Sequence, residues 1–394
     1  MQEHFQNLAC GISRLHFVNP NTIGIHICDA KNYAMAKKSQ KPYEMLPLFD
    51  HYLKEMRSGR RLMSGGKKIN PGTLRNIGYT RSLLADFSCQ RQFPLRILPV
   101  AGLGKREMQK EKRYWSDFYN QFTGFLYEEK QCFDNYTGKT VKNLRGFLHY
   151  LQTERGIDPG NFFRKFHVLS EEIQILTLLP EQLNFLIYDE GFEGRLSTSM
   201  RRTRDLFVFG CTVALRVSDL LALQRENLEY ANGEHYLCVH SKKTRTYTRI
   251  KLPEYAVDII RRNVHGRRKT IFRRISLTNL NKNIKRLIRL AGWDHPVIKT
   301  RTRRGTPVAL YRKASSREHY RFCDLVSSHT MRRTAITTML CLRMPENLVR
   351  RISGHASNSK EFYRYVQLSQ TFIDQESDRI FEKLRERKWH KNAS

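Results

Sequence analysis

The sequence predicts a multidomain chain, α-helical in its first part and mixed α+β in its second, the latter mostly helical with a small antiparallel sheet. Three observations carry this. The chain has 394 residues, more than one ordinary domain holds. Residues 43–168 place apolar side chains at helical spacing and show no strand alternation. Beyond them, helical stripes surround one alternating pair, residues 236–240 and 246–252, separated by Ser241-Lys242-Lys243-Thr244-Arg245, which reads as a hairpin turn.

Residues 1–42 are weakly patterned, with two short strands suggested around Asn19-Pro20-Asn21 and a linker over 36–42. In residues 43–168, Leu48, Phe49, Tyr52, Leu53 and Met56 share one helical face. A glycine- and charge-rich stretch, 57–68, interrupts it. Asn70-Pro71-Gly72-Thr73 then reads as a turn and cap before Leu74, Ile77, Leu83, Leu84 and Phe87. A second amphipathic helix carries Phe118, Phe122, Phe125 and Leu126, and a third, after Thr137-Gly138, carries Val141, Leu144, Leu148 and Leu151. The opposite face of the third holds Lys139, Lys142 and Arg145, either solvated or set against a DNA backbone. Residues 169–185 read as a connector, with a helix start at Leu179-Pro180-Glu181, and residues 186–394 form the mixed part.

Charge narrows the function. Lys plus Arg number 70 and Asp plus Glu 37, a formal charge of +33, in a chain 40% hydrophobic and 11% aromatic. This is a folded protein suited to a polyanion rather than a disordered basic tail. The eight cysteines form no C-x-x-C pair and none pairs with histidine at zinc spacing, so they read as small apolar residues in a reducing compartment. The start, MQEHFQNLAC, has no signal-peptide pattern, and no apolar run approaches a membrane span. A cytoplasmic, nucleoid-associated protein with no membrane partner is expected.

Four segments in the second half stand out, each weak alone. In GCTVALRVSDLLALQRENL (210–228), Leu215, Leu220 and Leu223 read as a helical core, and Asp219 follows Arg216 by three residues, which by itself is a surface salt bridge. The hairpin HSKKTRTYTRIKL carries two lysines at its turn. In SSHTMRRTAITTML (327–340), His329 and Arg332 lie one helical turn apart. In RISGHASNSKEFYRYVQLSQ (351–370), Gly354-His355 ends one helix, while Phe362, Tyr363, Tyr365 and Val366 sit in the next.

Their order is the stronger signal. Arginine, hairpin lysine, His-x-x-Arg, Gly-His and tyrosine, in that sequence, resemble the catalytic domain of the tyrosine recombinase (phage integrase) family. ALRVSDLLAL resembles the family's first arginine box, SHTMRRTAITT its second, and ISGHASNSKEFYRYV its His-to-Tyr box. GKTVKNLRGFLHYLQTERG and FHVLSEEIQILTLLPEQLNFL resemble the end of a core-binding domain and its link to the catalytic domain. The resemblance covers roughly residues 43–380 and is nearest to integrases of Bacteroidetes mobile elements. It implies a helical core-binding domain over 43–168, a linker over 169–185, a catalytic domain with C-terminal tail over 186–394, and a reduced arm-binding region in 1–42.

The implied activity is site-specific cleavage and rejoining of DNA through a 3′-phosphotyrosine, in integration, excision or other recombination. Arg216 and Arg332 would clamp the nonbridging phosphate oxygens, since guanidiniums are planar, permanently charged and bidentate. They would do there what a metal does in other nucleases, and the sequence has no acidic cluster fit for two metals. A phenol departs more readily than an alkyl alcohol, so the covalent link stores the bond energy and no ATP or other cofactor is implied. By resemblance, Lys243 protonates the leaving 5′ oxygen, His329 orients or assists the tyrosine and bonds the phosphate, His355 donates to a phosphate oxygen, and Asp219 supports the cations from behind. The family usually has its tyrosine nine residues after the Gly-His histidine, whereas Tyr363 lies eight and Tyr365 ten after His355. Tyr365 is preferred as nucleophile, with Tyr363 the alternative, and the two cannot share a helix face because they differ by about 200°. The implied partners are double-stranded DNA at specific recombination sites, three further copies in a tetramer on two such sites, and accessory DNA-bending proteins. The C-terminal segment 372–394 would pack on a neighbouring subunit or end as a frayed basic helix. Three rival readings are an inactive DNA-binding relative, a type IB topoisomerase, and a basic RNA-binding or ribosome-associated module.

Overall fold

The computed structural model describes residues 41–63, 65–241, 246–264, 266 and 268–391. The expected strands around Asn19-Pro20-Asn21, all but the last two residues of the arm-binding region expected over 1–42, and the turn residue Lys243 lie outside the described residues.

The first part is helical. A two-residue strand β1 (Tyr43–Glu44) leads into α1 (Met45–Ser58) and α2 (Pro71–Arg91), followed by β2 (Arg96–Ile97), α3 (Lys105–Glu128) and α4 (Asp134–Glu154). The cap read at 70–73 forms: Asn70 Oδ1 accepts from the Gly72 N–H at 2.8 Å, with Pro71 in the first turn. The predicted stripes become a core running from Met45 to Phe166, rich in aromatic rings. Trp115 and Phe118 meet edge to face, and Phe118 stacks on Phe122 at 5.5 Å.

The second part is mixed. It comprises α5 (Pro180–Tyr188), α6 (Glu190–Arg195), α7 (Thr198–Val213), α8 (Val217–Leu220), β3 (Leu228–Ala231), β4 (Glu234–His240), β5 (Tyr247–Lys251), α9 (Glu254–Asn263) and α10 (Leu277–Leu290). Then follow β6 (Pro296–Val297), β7 (Lys299–Arg303), β8 (Thr306–Leu310), β9 (Tyr320–Arg321), α11 (Phe322–Leu325), α12 (Ser328–Cys341), α13 (Glu346–Ser353) and α14 (Lys360–Lys391). The fold is thus mostly helical with small antiparallel sheets. In the β4–β5 pair, Leu237 faces Ile250 and Val239 faces Thr248, which turns Leu237, Val239 and Ile250 into a core built with α7, α9 and α10. A smaller apolar cluster joins Ala214, Ala335, Ile336, Leu340, Val349, Phe362 and Tyr365 beneath α14. Among the described residues no helix is long and apolar enough to cross a membrane.

Three expectations are corrected. The sheet content exceeds one strand pair: β3 adds a third strand to β4–β5, and β7 pairs with β8 as a separate hairpin. Its strands read Lys-Thr-Arg-Thr-Arg and Thr-Pro-Val-Ala-Leu, with little apolar alternation to betray them. Segment 210–228 is not one helix: α7 stops at Val213, Ala214 turns left-handed at φ 55°, and α8 is a four-residue helix. The helix expected to begin after Thr137-Gly138 is α4, which starts at Asp134, so Gly138 lies inside it.

Gly138 is there because the backbone of Leu169 passes directly over α4. A Cβ on residue 138 would sit 1.8 Å from the Leu169 carbonyl oxygen and 2.8 Å from its carbon. Gly138→Ala is therefore expected to destabilise the protein by about 1–3 kcal/mol through overpacking, read by thermal or urea denaturation, despite alanine's better helix propensity. An unchanged or raised midpoint would mean that the connector backbone at Leu169 does not pack there.

Candidate active site

The site grows from the break between α7 and α8. Ala214 points its carbonyl at Arg332, whose Nη1 donates to it at 2.7 Å. Two residues on, Arg216 caps α8 in an extended conformation, half-buried, and its Nη1 donates to Ser241 Oγ at 3.1 Å. Ser241 in turn donates to the buried Asp219 carboxylate at 3.2 Å. Asp219 thus holds Arg216 through a serine at the end of β4. The hairpin closes just past that serine, with the Ser241 N–H donating to the Thr246 carbonyl at 2.9 Å.

Arg332 lies inside α12 at 5% exposure. Its Nη2 donates to the Ser353 carbonyl at 2.5 Å and lies 3.4 Å from His355 Nε2. Burial, and after it the neighbouring Arg216 cation, lower its guanidinium to about 10, which leaves it charged at neutral pH. Both terminal nitrogens are anchored on carbonyls, and each keeps a second N–H.

His355 follows Gly354, which ends α13 in the left-handed region at φ 62°. The Ser353 hydroxyl donates to the Val349 carbonyl at 2.6 Å, so its 2.8 Å contact with His355 Nδ1 is an N–H donated by the ring. That assigns the proton to Nδ1 and leaves Nε2 as the open nitrogen. Burial first, then Arg332, Arg216 and Arg350, push His355 down to about 4, so it is neutral at pH 7.

The two tyrosines part company on α14. Tyr365 is 1% exposed, its ring 6.0 Å from that of His355. Burial and Glu361 raise its phenol while Arg333 and Arg332 pull it down, and the net shift is upward. Tyr363 is 51% exposed and lies under the Arg350 guanidinium at 4.8 Å, away from the cluster. His329 sits in the first turn of α12 with part of its ring in solvent. It is lowered by local desolvation, then by Arg333 and Arg332, against the opposing charge of Glu361.

Arg216, Asp219, Arg332, His355 and Tyr365 thus lie in one neighbourhood, with His329 within electrostatic reach, while Lys243 is outside the described residues. Sequence reasoning missed Ser241, Ser353, Arg333 and Glu361. Ser353 and Arg333 adjoin quoted motif residues, but nothing in a single sequence distinguishes a serine that fixes a histidine tautomer from one that faces water. The arrangement concentrates positive charge and N–H donors beside a buried phenol, a setting for a phosphate.

Residues 192–371 match the phage integrase family. A likeness of fold to solved structures extends further along the chain. A lambda integrase dimer bound to a COC′ core site superposes with a TM-score of 0.52 at 13% identity, over 83% of this chain and 78% of that one. XerH site-specific recombinase bound to a palindromic difH substrate gives 0.51 at 14% identity, over 84% and 94%. A lambda integrase tetramer bound to a Holliday junction gives 0.53 at 14% identity, over 83% and 78%. At these identities the likeness is one of fold. A comparison with curated protein sequences finds no match.

The environment of His355 has a measurable consequence for stability. With its folded pKa below its unfolded value near 6.5, the unfolded chain takes up the proton first. Stability is therefore fully present above about pH 6.5 and falls as pH drops toward 4. NMR titration of the His355 ring in the DNA-free protein is expected to give a midpoint near 4, and a midpoint near 6.5 would show the ring to be solvated and unpaired with the arginines.

Proposed function

We propose that this chain is a site-specific DNA recombinase that cleaves and rejoins strands through a covalent 3′-phosphotyrosine, without metal or ATP. The observation that carries the reading is the convergence of Arg216, Arg332 and His355 around the buried Tyr365. In this reading Tyr365, not Tyr363, is the nucleophile. Its oxygen bonds phosphorus, the bond to the 5′ oxygen breaks, and that oxygen leaves with a proton. Arg216 and Arg332 take up the charge on the nonbridging oxygens through their free N–H groups. His329, held neutral, accepts the phenolic proton. An arriving phosphodiester offsets the arginine charges that, after burial, lower His355, so Nε2 takes a proton from solvent and donates it in a hydrogen bond to the phosphate. Asp219 keeps Arg216 aimed through Ser241. Lys243 supplies the proton to the leaving oxygen.

Residues 43–168 serve as the core-binding domain, 169–185 as linker and 186–394 as catalytic domain. The substrate is duplex DNA at specific sites, bound by a tetramer across two of them, with DNA-bending accessory proteins. The setting is a mobile element of the kind found in Bacteroidetes, acting in the cytoplasm on the nucleoid. The charge of +33 suits that substrate.

Covalent trapping tests the chemistry and the nucleophile together. Nicked DNA from the flanks of the gene is incubated with protein without metal or ATP and resolved on a denaturing gel. A DNA-linked band is expected with the parent protein and Tyr363→Phe, and none with Tyr365→Phe. Loss in Tyr363→Phe alone would transfer the role to Tyr363. Linkage on any supercoiled duplex, with relaxation and no site preference, would favour the topoisomerase reading. No band, despite salt-sensitive binding, would favour an inactive DNA-binding relative.

A second measurement addresses Lys243. Lys243→Ala is expected to slow cleavage by about 100-fold or more, and a substrate with sulfur at the leaving 5′ position, which needs no proton, restores the rate. Failure of the sulfur substrate to rescue removes Lys243 from that role.

A further inference from the structure

The β7–β8 hairpin carries Lys-Thr-Arg-Thr-Arg-Arg, a string that reads as a DNA-contact patch. Instead, its arginines are engaged by the other part of the chain. Arg301 pairs with Glu171 at 2.6 Å, and the Thr302 N–H donates to the same carboxylate at 2.5 Å. The Glu171 side chain is 1% exposed. Arg303 donates to both the side chain and the carbonyl of Gln131. Arg304 pairs with Glu128 at 2.7 Å.

The hairpin turn itself is shaped to take a carboxylate. Arg304 and Gly305 both have positive φ, 52° and 77°, the two-residue turn that matches strand twist. Their successive N–H groups converge on Asp134, at 2.8 and 2.9 Å. Asp134 opens α4, where the helix N-terminus adds to its stabilisation, and also accepts from Tyr127 at 2.7 Å. On β7, Arg301 and Arg303 point to the same side, and Phe133 lies against both guanidiniums at 4.9 and 5.1 Å. Glu171 is itself pinned to the start of α4, exchanging two hydrogen bonds with Asn135 at 3.0 Å. The end of α3, the start of α4, the first residues of the connector and the hairpin tip therefore meet at one junction.

We propose that Asp134 and Glu171 are positioning residues: they clasp the 299–310 hairpin and so fix the angle between the helical part and the catalytic part during strand cleavage. The proposal rests on the recombinase reading. A carboxylate buried against a guanidinium and a backbone N–H has one geometry, unlike a solvated surface pair. The connector alone cannot set that angle, because a single strand between two cores permits rotation. Two crossings, the connector and the clasp, remove it. The clasp touches neither the phosphate nor the tyrosine, so its effect lies in alignment.

The test uses the full chain and two readouts. Hydrogen exchange reports the clasp directly: the amides of Thr302, Arg304 and Gly305 should exchange slowly in the parent protein, and Glu171→Ala should release Thr302. Single-turnover cleavage of nicked DNA reports alignment: Glu171→Ala should keep DNA affinity within about threefold while the cleavage rate falls about 10- to 100-fold. Arg304→Ala, an exposed side chain whose loss leaves both cores intact, should shift cleavage in the same direction by less. Fast exchange at all three amides in the parent protein would overturn the clasp. Released amides with unchanged cleavage would overturn the positioning role, as would parallel losses of affinity and rate. If the parent protein cleaves no DNA, the recombinase reading and the positioning role fall together, and exchange still judges the clasp.

Discussion

The second part of the chain depends on one buried cation. Arg332 is a charge held at 5% exposure, and it persists there because two backbone carbonyls, Ala214 and Ser353, accept its N–H groups. Those carbonyls belong to segments 118 and 21 residues away along the chain. One is the break that sets Arg216, the other the turn that sets His355. A guanidinium is rigid and planar, so fixing its two ends fixes the separation of the segments it joins. The residue that would meet a phosphate is also the residue that assembles the walls around it.

That arrangement ties ionisation to occupancy. Burial first, and the neighbouring guanidiniums after it, lower both histidines, which stay neutral at pH 7. Burial keeps the Tyr365 phenol protonated despite two nearby arginines. In the proposed reading, a diester anion would offset part of the arginine charge around His355 and relieve the repulsion between Arg216 and Arg332.

Much of the helical framework was legible because burial leaves a periodic trace. The stripes at Phe49, Tyr52, Leu53 and Met56, and at Phe118, Phe122 and Phe125, became core faces, and the Asn70 cap formed as its sequence implied. The β7–β8 hairpin was not legible. It is stabilised by arginine–carboxylate pairs and by a turn at Arg304-Gly305, and such pairs have no period in sequence. Motif order grouped Arg216, Arg332 and His355, but the links between them run through carbonyls and the hydroxyls of Ser241 and Ser353, which carry no recognisable spacing. The tyrosine pair shows the same limit: spacing left Tyr363 and Tyr365 open, and burial separates them.

The left-handed turn at Ala214 bears on how freely this region can change. Glycine would enter that conformation without the cost of about 1 kcal/mol that an L side chain meets there. Yet Ala214 is fully buried in the small cluster that includes Ile336 and Tyr365, and a buried methyl contributes about 0.8 kcal/mol. The two preferences nearly cancel, while any larger side chain would be opposed by both the backbone and the space. Position 214 therefore favours alanine or glycine, and the segment ahead of Arg216 is constrained by backbone geometry as well as by the space around it.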